Sequence, residues 1–258
     1  MVSCRTGPGT GGAAGFETPS YEALVHGHNS RVDRIGEVYA RGVIELWWTD
    51  DDGRHHEQGE ADLWVAPPRR TALNIAKLGR RLMWIGSDDD TAWFFDFRQD
   101  ATTLYIAAGG ELAATSAVPF DPTLLLDLGG LTRLPASGGN VRYDDDRVAW
   151  VVTARDHPRL FLDRETLLPV RSELLDEEGR ILLYSAMKLS RYERIEITGA
   201  SPLAGPRFPT LVDIVSTDGR IKVRLSVRGP TGGDVAPRYF DLRWLTDRFK
   251  PVTESRPG

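Results

Sequence analysis

Between Leu82 and Ile106 the chain reads Leu82-Met83-Trp84-Ile85, a Gly86-Ser87-Asp88-Asp89-Asp90 turn, Trp93-Phe94-Phe95-Asp96-Phe97, a polar break at Gln99-Asp100, and then Leu104-Tyr105-Ile106. Short runs rich in aromatics and bounded by turn residues predict successive antiparallel strands. An antiparallel sheet with one wet face alternates apolar and polar positions, whereas these segments are apolar at nearly every position, so the sheet they form needs cover on both sides. A lid, a ligand or a partner has to supply that cover.

Upstream, Tyr21, Leu24, Val25, His28, Val32 and Ile35 fall at helical spacing after a Thr18-Pro19-Ser20 start and before Gly36, which predicts one amphipathic helix. A long strand follows, with Val38, Ala40, Gly42, Ile44, Leu46 and Trp48 on one face. Asp50-Asp51-Asp52-Gly53 turns it into a second strand that carries Ala61, Leu63 and Val65 inward, and Leu73 and Ile75 share a face of a third. The same alternation assigns Trp93, Phe95, Leu104 and Ile106 to that inward face with Asp96 pointing away from it. Trp84 is placed there too, on a parity that its apolar neighbours Met83 and Ile85 leave open.

The period changes at Pro119-Phe120-Asp121-Pro122, where Asp121 as N-cap and Pro122 in the first turn predict a helix from Asp121 to Leu131. Leu124, Leu125 and Leu128 make this short helix strongly apolar, and Gly129-Gly130 ends it. It is the expected lid. Strands resume at Val148–Val152, Leu160–Leu162, Val170–Leu175, Ile181–Tyr184, Phe208–Val215 and Ile221–Val227, and Phe240–Phe249 predicts a last helix stopped by Pro251. The fold class that results is mainly β (α+β), a curved antiparallel sheet of about eleven strands with covering helices. Residues 17–258 form its single domain, and residues 1–16 precede it as a tether.

Composition narrows the functions. With 258 residues, a net charge of −5 and both signs mixed throughout, there is no basic block of the kind nucleic-acid binding requires. No window of about 18 apolar residues exists to form a membrane-spanning helix. The lone cysteine excludes an internal disulfide, and its setting, Met1-Val2-Ser3-Cys4, reads either as the tail of a bacterial lipobox or as a free thiol in a ragged terminus. The Gly-rich stretch from Arg5 to Gly15 cannot bury a core, and its root-mean-square reach is about 18 Å, enough to hold a folded body off a membrane. Cysteine and tether together favour the lipobox.

Catalytic and metal chemistry find little support. His26 and His28 lie two apart, and His55 and His56 are adjacent, whereas helical metal pairs need a spacing of three or four to share a face. Asp50-Asp51-Asp52 lacks the alternate spacing of a calcium loop and reads as a solvated turn. No Gly-x-Ser-x-Gly and no phosphate loop occur. The expectation is therefore a protein that is not an enzyme, with no cofactor, no metal and no catalytic residue. Trp84, Trp93, Phe95 and Phe97 taken singly read as core; their concentration beside an apolar helix raises the alternative of ligand contacts.

Several features in order resemble the LolA/LolB superfamily of periplasmic lipoprotein carriers and outer-membrane lipoprotein receptors. These are the first helix leading into a long strand, the meander, the apolar helix inserted midway, the turn Asp163-Arg164-Glu165-Thr166-Leu167-Leu168-Pro169, and Pro206-Arg207-Phe208-Pro209 before the last hairpin. The resemblance covers Tyr21 to Lys250. It implies an unclosed barrel whose concave side, covered by helices, holds acyl chains. Ile44, Leu46, Trp48, Leu63, Leu73, Ile75, Trp84, Trp93, Phe95, Leu104, Ile106, Leu124, Leu125 and Leu128 are the expected lipid-binding set, and the lid-locking arginine of the family falls to Arg41, Arg69 or Arg98. The membrane-anchored receptors carry an apolar loop between the third and fourth strands, whereas here that connection is Lys77-Leu78-Gly79-Arg80-Arg81, short and basic with one leucine. The implied protein is a monomer of the bacterial envelope that faces the periplasm and is held to a membrane, the outer one, by a lipid on Cys4. It binds the acyl chains of lipoproteins or a similar amphiphile. The alternative is an interaction or sensor protein of the same fold with a filled core.

Preceded by a secretory signal in a bacterial host, the chain is expected to incorporate labelled palmitate at Cys4. Cys4→Ser is expected to abolish the label and move the protein to the soluble fraction, and wild type that takes up no label would refute the lipobox.

Overall fold

The Ser20 hydroxyl accepts a hydrogen bond from the Ala23 N–H at 3.2 Å and so caps α1 (Tyr21–Ile35), which buries Tyr21, Leu24, Val25, His28, Asn29, Val32 and Ile35 on one stripe. The structure, a computed structural model, describes residues 18–51, 53–89, 91–108, 122, 124–176 and 180–255. Strands β1 (Val38–Asp50), β2 (Gly53–Ala66), β3 (Arg70–Lys77), β4 (Arg80–Ser87), β5 (Thr91–Asp96) and β6 (Thr103–Ala108) form the first meander. After α2 (Leu124–Leu128) come β7 (Asn140–Asp144), β8 (Ala149–Thr153), β9 (Arg159–Asp163), β10 (Pro169–Leu175), β11 (Ile181–Arg194), β12 (Glu196–Ile197), β13 (Arg207–Val215) and β14 (Ile221–Gly232). A 3-10 turn at Pro237–Tyr239, α3 (Leu242–Phe249) and β15 (Thr253–Ser255) close the described chain.

All the strands join one sheet in the order β15-β6-β5-β4-β3-β2-β1-β14-β13-β11-β10-β9-β8-β7, with β12 beside β14. The two meanders meet where β1 pairs with β14, and the ends of the order, β15 and β7, do not pair with each other, so the sheet is unclosed. Side chains from β5 and β6 at one end share a core cluster with Met187 and Leu189 of β11 and Phe208 of β13, which requires the sheet to curve around them. The fifteen strands exceed the eleven or so expected. Of the additional short strands, β7 alternates Val141 and Tyr143 with polar residues, so a period-2 signal was available there, whereas β12 and β15 are two and three residues long and are decided by pairing with a neighbour. The last helix begins at Leu242, two residues later than expected, because Asp241 caps it by accepting from the Trp244 N–H at 3.0 Å.

Strand register separates the apolar positions into two faces. Ala40, Leu63, Leu73, Ile85, Phe94 and Tyr105 pair across β1 to β6 in one row, and this is the inner face, on which Leu126, Leu128 and Leu131 pack. The adjacent rows, Tyr39-Trp64-Ala72-Gly86-Trp93-Ile106 and Arg41-Asp62-Asn74-Trp84-Phe95-Leu104, belong to the outer face. There Val235, Phe240 and Leu245 cover Trp64, Trp84, Trp93 and Phe95, with Phe249 edge-on to Phe95 at 5.2 Å. The two-sided cover that the Leu82–Ile106 stretch demands thus comes from the chain itself, with α2 inside and the C-terminal helix outside.

This corrects the predicted face. Ile44, Leu46, Leu63, Leu73 and Ile75 are inner, whereas Trp84, Trp93, Phe95, Leu104 and Ile106 are outer, and Asp96 lies in the inner row of Met83 rather than pointing away from it. Side chains alternate within β5 as its pattern predicts, but the phase relative to β3 depends on pairing, and Leu73 lies opposite Ile85, which lies opposite Phe94.

Gly86 is the outer-face position beneath the Trp93 indole, and a Cβ added there would sit 2.8 Å from the Trp93 Nε1. Because the indole is fully buried and cannot yield, Gly86→Ala is expected to cost about 1–3 kcal/mol by overpacking, read from the midpoint of urea unfolding.

Candidate functional site

The segment from Pro122 to Pro135 lies over the inner face and is held there by polar side chains of other elements. At its start the Thr71 hydroxyl of β3 donates to the Pro122 carbonyl at 3.0 Å. Helix α2 then covers the sheet with Leu126 and Leu128, and at its end the Ser172 hydroxyl of β10 donates to the Leu128 carbonyl. Five residues of α1 take the rest of the segment, with the Tyr21 hydroxyl donating to the Pro135 carbonyl at 2.9 Å and Asp33 pairing with Arg133. The Arg31 guanidinium donates to the Gly130 carbonyl, the His28 Nε2 to the Thr132 carbonyl at 2.9 Å, and the Asn29 amide both donates to and accepts from the backbone of Leu134, each at 2.9 Å. Backbone carbonyls after a helix have no partner within it, which is why side-chain donors are effective at this point.

The glycine pair is a geometric requirement. Gly130 has φ of 61°, and a Cβ on it would lie 2.7 Å from the Pro169 ring. Pro169 closes the Asp163–Pro169 turn, in which the Asp163 carboxylate accepts from the Thr166 N–H at 2.8 Å and from its hydroxyl at 2.7 Å. In the other motif that carried the resemblance, the Arg207 carbonyl accepts from Arg31 at 3.4 Å, while Phe208 and Pro209 line the space beneath α2. Both motifs therefore converge on the end of the lid segment.

Beneath α2 the space is small. A cavity of about 40 Å³ is lined by Leu63, Val65, Leu125, Leu126, Leu131 and Phe208 among others. Its walls are almost wholly apolar, and its volume is far below the several hundred Å³ of a pocket that encloses a lipid chain. Of the predicted lipid-binding set, Leu63 and Leu125 line this cavity, and Ile44, Leu46, Leu73, Ile75 and Leu128 belong to the same inner core. Trp48 is partly exposed near the end of the β1–β2 hairpin, stacked on His55 at 5.0 Å. Trp84, Trp93, Phe95, Leu104 and Ile106 lie on the outer face. Cys4, Asp121 and the Leu124 side chain lie outside the described residues.

The arginine that reaches the lid segment is Arg31. Of the three expected candidates, Arg41 pairs with Asp62 at 2.9 Å on the outer face, Arg69 donates to the Asp89 carbonyl at 3.3 Å, and Arg98 pairs with Asp96 at 2.7 Å. The available signal was helical spacing, since Arg31 follows His28 by three residues and shares its face. Leu78, the single leucine of the β3–β4 connection, is 95% exposed at the tip of that turn. Among the described residues no three metal-ligating side chains come together, and no helix is long and apolar enough to cross a membrane.

Burial lowers His28 from its ordinary pKa of 6.5 to about 4, with the nearby Arg31 charge acting in the same direction and the bond to Thr132 opposing it. The neutral ring carries its proton on Nε2, where the carbonyl accepts it. As pH falls below 6.5 the unfolded chain binds a proton that the folded chain refuses, so stability is complete above that value and declines toward pH 4. Chemical denaturation is expected to give a loss of about 3 kcal/mol across the window in wild type, and a flatter pH profile in His28→Gln.

No protein-family model and no curated protein matches the sequence. Solved structures do match in shape. A DUF1329 family protein from Desulfovibrio piger aligns with a TM-score of 0.57 at 10% identity, covering 86% of this chain and 96% of that one. A LolA superfamily protein from Nitrosomonas europaea aligns with a TM-score of 0.53 at 12% identity, covering 85% and 98%. A domain described as belonging to an outer membrane lipoprotein-sorting protein, from Vibrio parahaemolyticus, gives 0.50 at 11% identity, covering 87% and 97%. At such identities the likeness is one of architecture. The fold that this chain shares with them is a curved, unclosed, mostly antiparallel sheet with few helices, the LolA-like fold.

Proposed function

We propose that the protein is a non-catalytic lipoprotein of the bacterial envelope, tethered through Cys4, that admits acyl chains of lipoproteins or a similar amphiphile between its inner face and the α2 segment. The observation that carries this reading is the manner in which the segment is held. Its apolar residues cover an apolar sheet, while its polar fastening depends on side-chain donors, Thr71, Ser172, His28, Asn29 and Arg31, that release without breaking any strand pairing. The small cavity then corresponds to the closed form, and a ligand enters as the segment lifts. A shared fold with a lipoprotein-sorting domain and a LolA superfamily protein supports the class of ligand and the envelope location. The 40 Å³ void supports a second reading, an envelope interaction or sensor protein of the same fold whose core stays filled.

The two readings differ in what binds. Under the first, native mass spectrometry of protein taken from a bacterial membrane fraction is expected to find acyl lipid. Arg31→Gln or Ser172→Ala, by raising the open population, is expected to strengthen binding of cis-parinaric acid by up to about tenfold. Phe95→Ala, on the outer face, is expected to cost about 3–5 kcal/mol of stability and leave probe binding unchanged. Lipid-free protein that ignores the probe in wild type and in both latch variants would establish the filled core instead.

A further inference from the structure

On the outer face, away from the lid, β4 and the C-terminal segment enclose a cleft of about 350 Å³ lined by Arg81, Trp84, Arg238, Tyr239, Trp244, Arg248 and Phe249. Three arginines thus converge on one concavity, in a chain whose acidic residues outnumber its basic ones by 37 to 32. Among the described residues none of the three makes an ion pair with a carboxylate in the cleft, and the side chains of Arg238 and Arg248 make no hydrogen bond. Each is held instead by aromatic faces. The Arg238 and Arg248 guanidinium carbons lie 5.9 and 5.7 Å from the Trp244 ring centre, and that of Arg81 lies 4.8 Å from Phe249.

Arg81 is also oriented from behind. Its Nε donates to the Asn74 side-chain oxygen at 2.8 Å, and the Asn74 amide in turn donates to Asp62 at 3.2 Å. This fixes the plane of the guanidinium and leaves its two terminal nitrogens without a protein acceptor among the described residues. Burial, then the like charge of Arg248, hold the Arg81 guanidinium below its ordinary value, against a weaker pull from Asp62. Like charges gathered on a rigid aromatic platform are relieved by an anion.

We propose that this cleft binds the phosphate group of an anionic ligand, with the forks of Arg81, Arg238 and Arg248 as its donors. A carboxylate presents its two oxygens in one plane, whereas the tetrahedral phosphate of a monoester presents three outward oxygens around its axis and so meets guanidiniums that converge from several directions. The aromatic walls at Tyr239 and Trp244 suit the uncharged part of such a molecule. A soluble phosphate monoester and the headgroup of phosphatidic acid present this same chemistry.

Calorimetric titration of the whole chain with sn-glycerol 3-phosphate, and flotation with phosphatidylcholine vesicles with and without phosphatidic acid, test the cleft. Binding of the soluble ester assigns the site to a free phosphate ester. Flotation with vesicles that contain phosphatidic acid but not with phosphatidylcholine alone, without binding of the ester, assigns it to a headgroup. In either case the double variant Arg238→Gln/Arg248→Gln is expected to weaken binding by about tenfold or more, and the paired Arg→Lys variant by less. Both arginines are exposed, so the variants are expected to unfold at the wild-type temperature. The proposal is overturned if neither probe binds, if glycolate binds as well as the phosphate ester, or if the glutamine variant binds like wild type. When the glutamine variant binds like wild type the arginines serve only to pack the last helix against the sheet, and when glycolate binds equally the cleft takes small anions without selecting phosphate.

Discussion

The structure depends on the pairing register of β1 to β6. In this half of the sheet each strand carries large apolar side chains toward both faces, so a slip of one residue would exchange the inner and outer sets without making either face soluble. The register is distinguished by what each face then meets. The outer rows set Tyr39, Trp64, Trp84 and Trp93 under the C-terminal segment, with Trp64 stacked on Tyr239 at 4.5 Å. The inner rows set smaller aliphatic residues and Phe94 under α2. Outside the aromatic patch the outer row turns polar, and Arg41, Asp62, Asn74 and Arg81 hydrogen-bond in series, a pattern that would be costly if slipped into the inner core.

The inner cover is of a different kind from the outer one. The last helix is bound by interlocking aromatics, whereas the lid segment has a single short helix of five residues and depends on donors to its carbonyls. A neutral hydrogen bond contributes about 1 kcal/mol net and one from a charged donor about twice that, so releasing the bonds from Thr71, Ser172, Tyr21, His28, Asn29 and Arg31 costs about 8 kcal/mol. Each methylene of an acyl chain taken into the space beneath returns about 0.8 kcal/mol. Under the proposed function, long chains therefore offset the opening and chains of only a few carbons do not, and the fastening doubles as a filter on ligand length.

The histidines illustrate how residues with metal-binding chemistry serve packing. His28 is a neutral donor inside the helix stripe, while His55 and His56 stack on Trp48 and Trp47 across the β1–β2 hairpin at 5.0 and 4.9 Å. Their spacings of two and one, which argued against a helical metal pair, suit a buried stripe position and two successive strand positions that face opposite ways.

By itself the sequence determined the elements whose signals are local. The first helix between Ser20 and Gly36, the long β1–β2 hairpin, the acidic turns, the apolar helix before Gly129-Gly130 and the need to cover the Leu82–Ile106 stretch twice all follow from periodicity, caps and turn residues. Only the tertiary structure decided which face each aromatic joins, because alternation fixes that neighbours oppose one another along a strand and carries no information about phase between strands. The same limit hid β12 and β15, two and three residues long, whose pairing comes from a neighbour. It hid the part of Arg31, whose acceptors lie 99 and 176 positions away. It also hid the arginine cleft, since Arg81 and Arg248 are distant in sequence and meet only when the last helix returns across the outer face of β4.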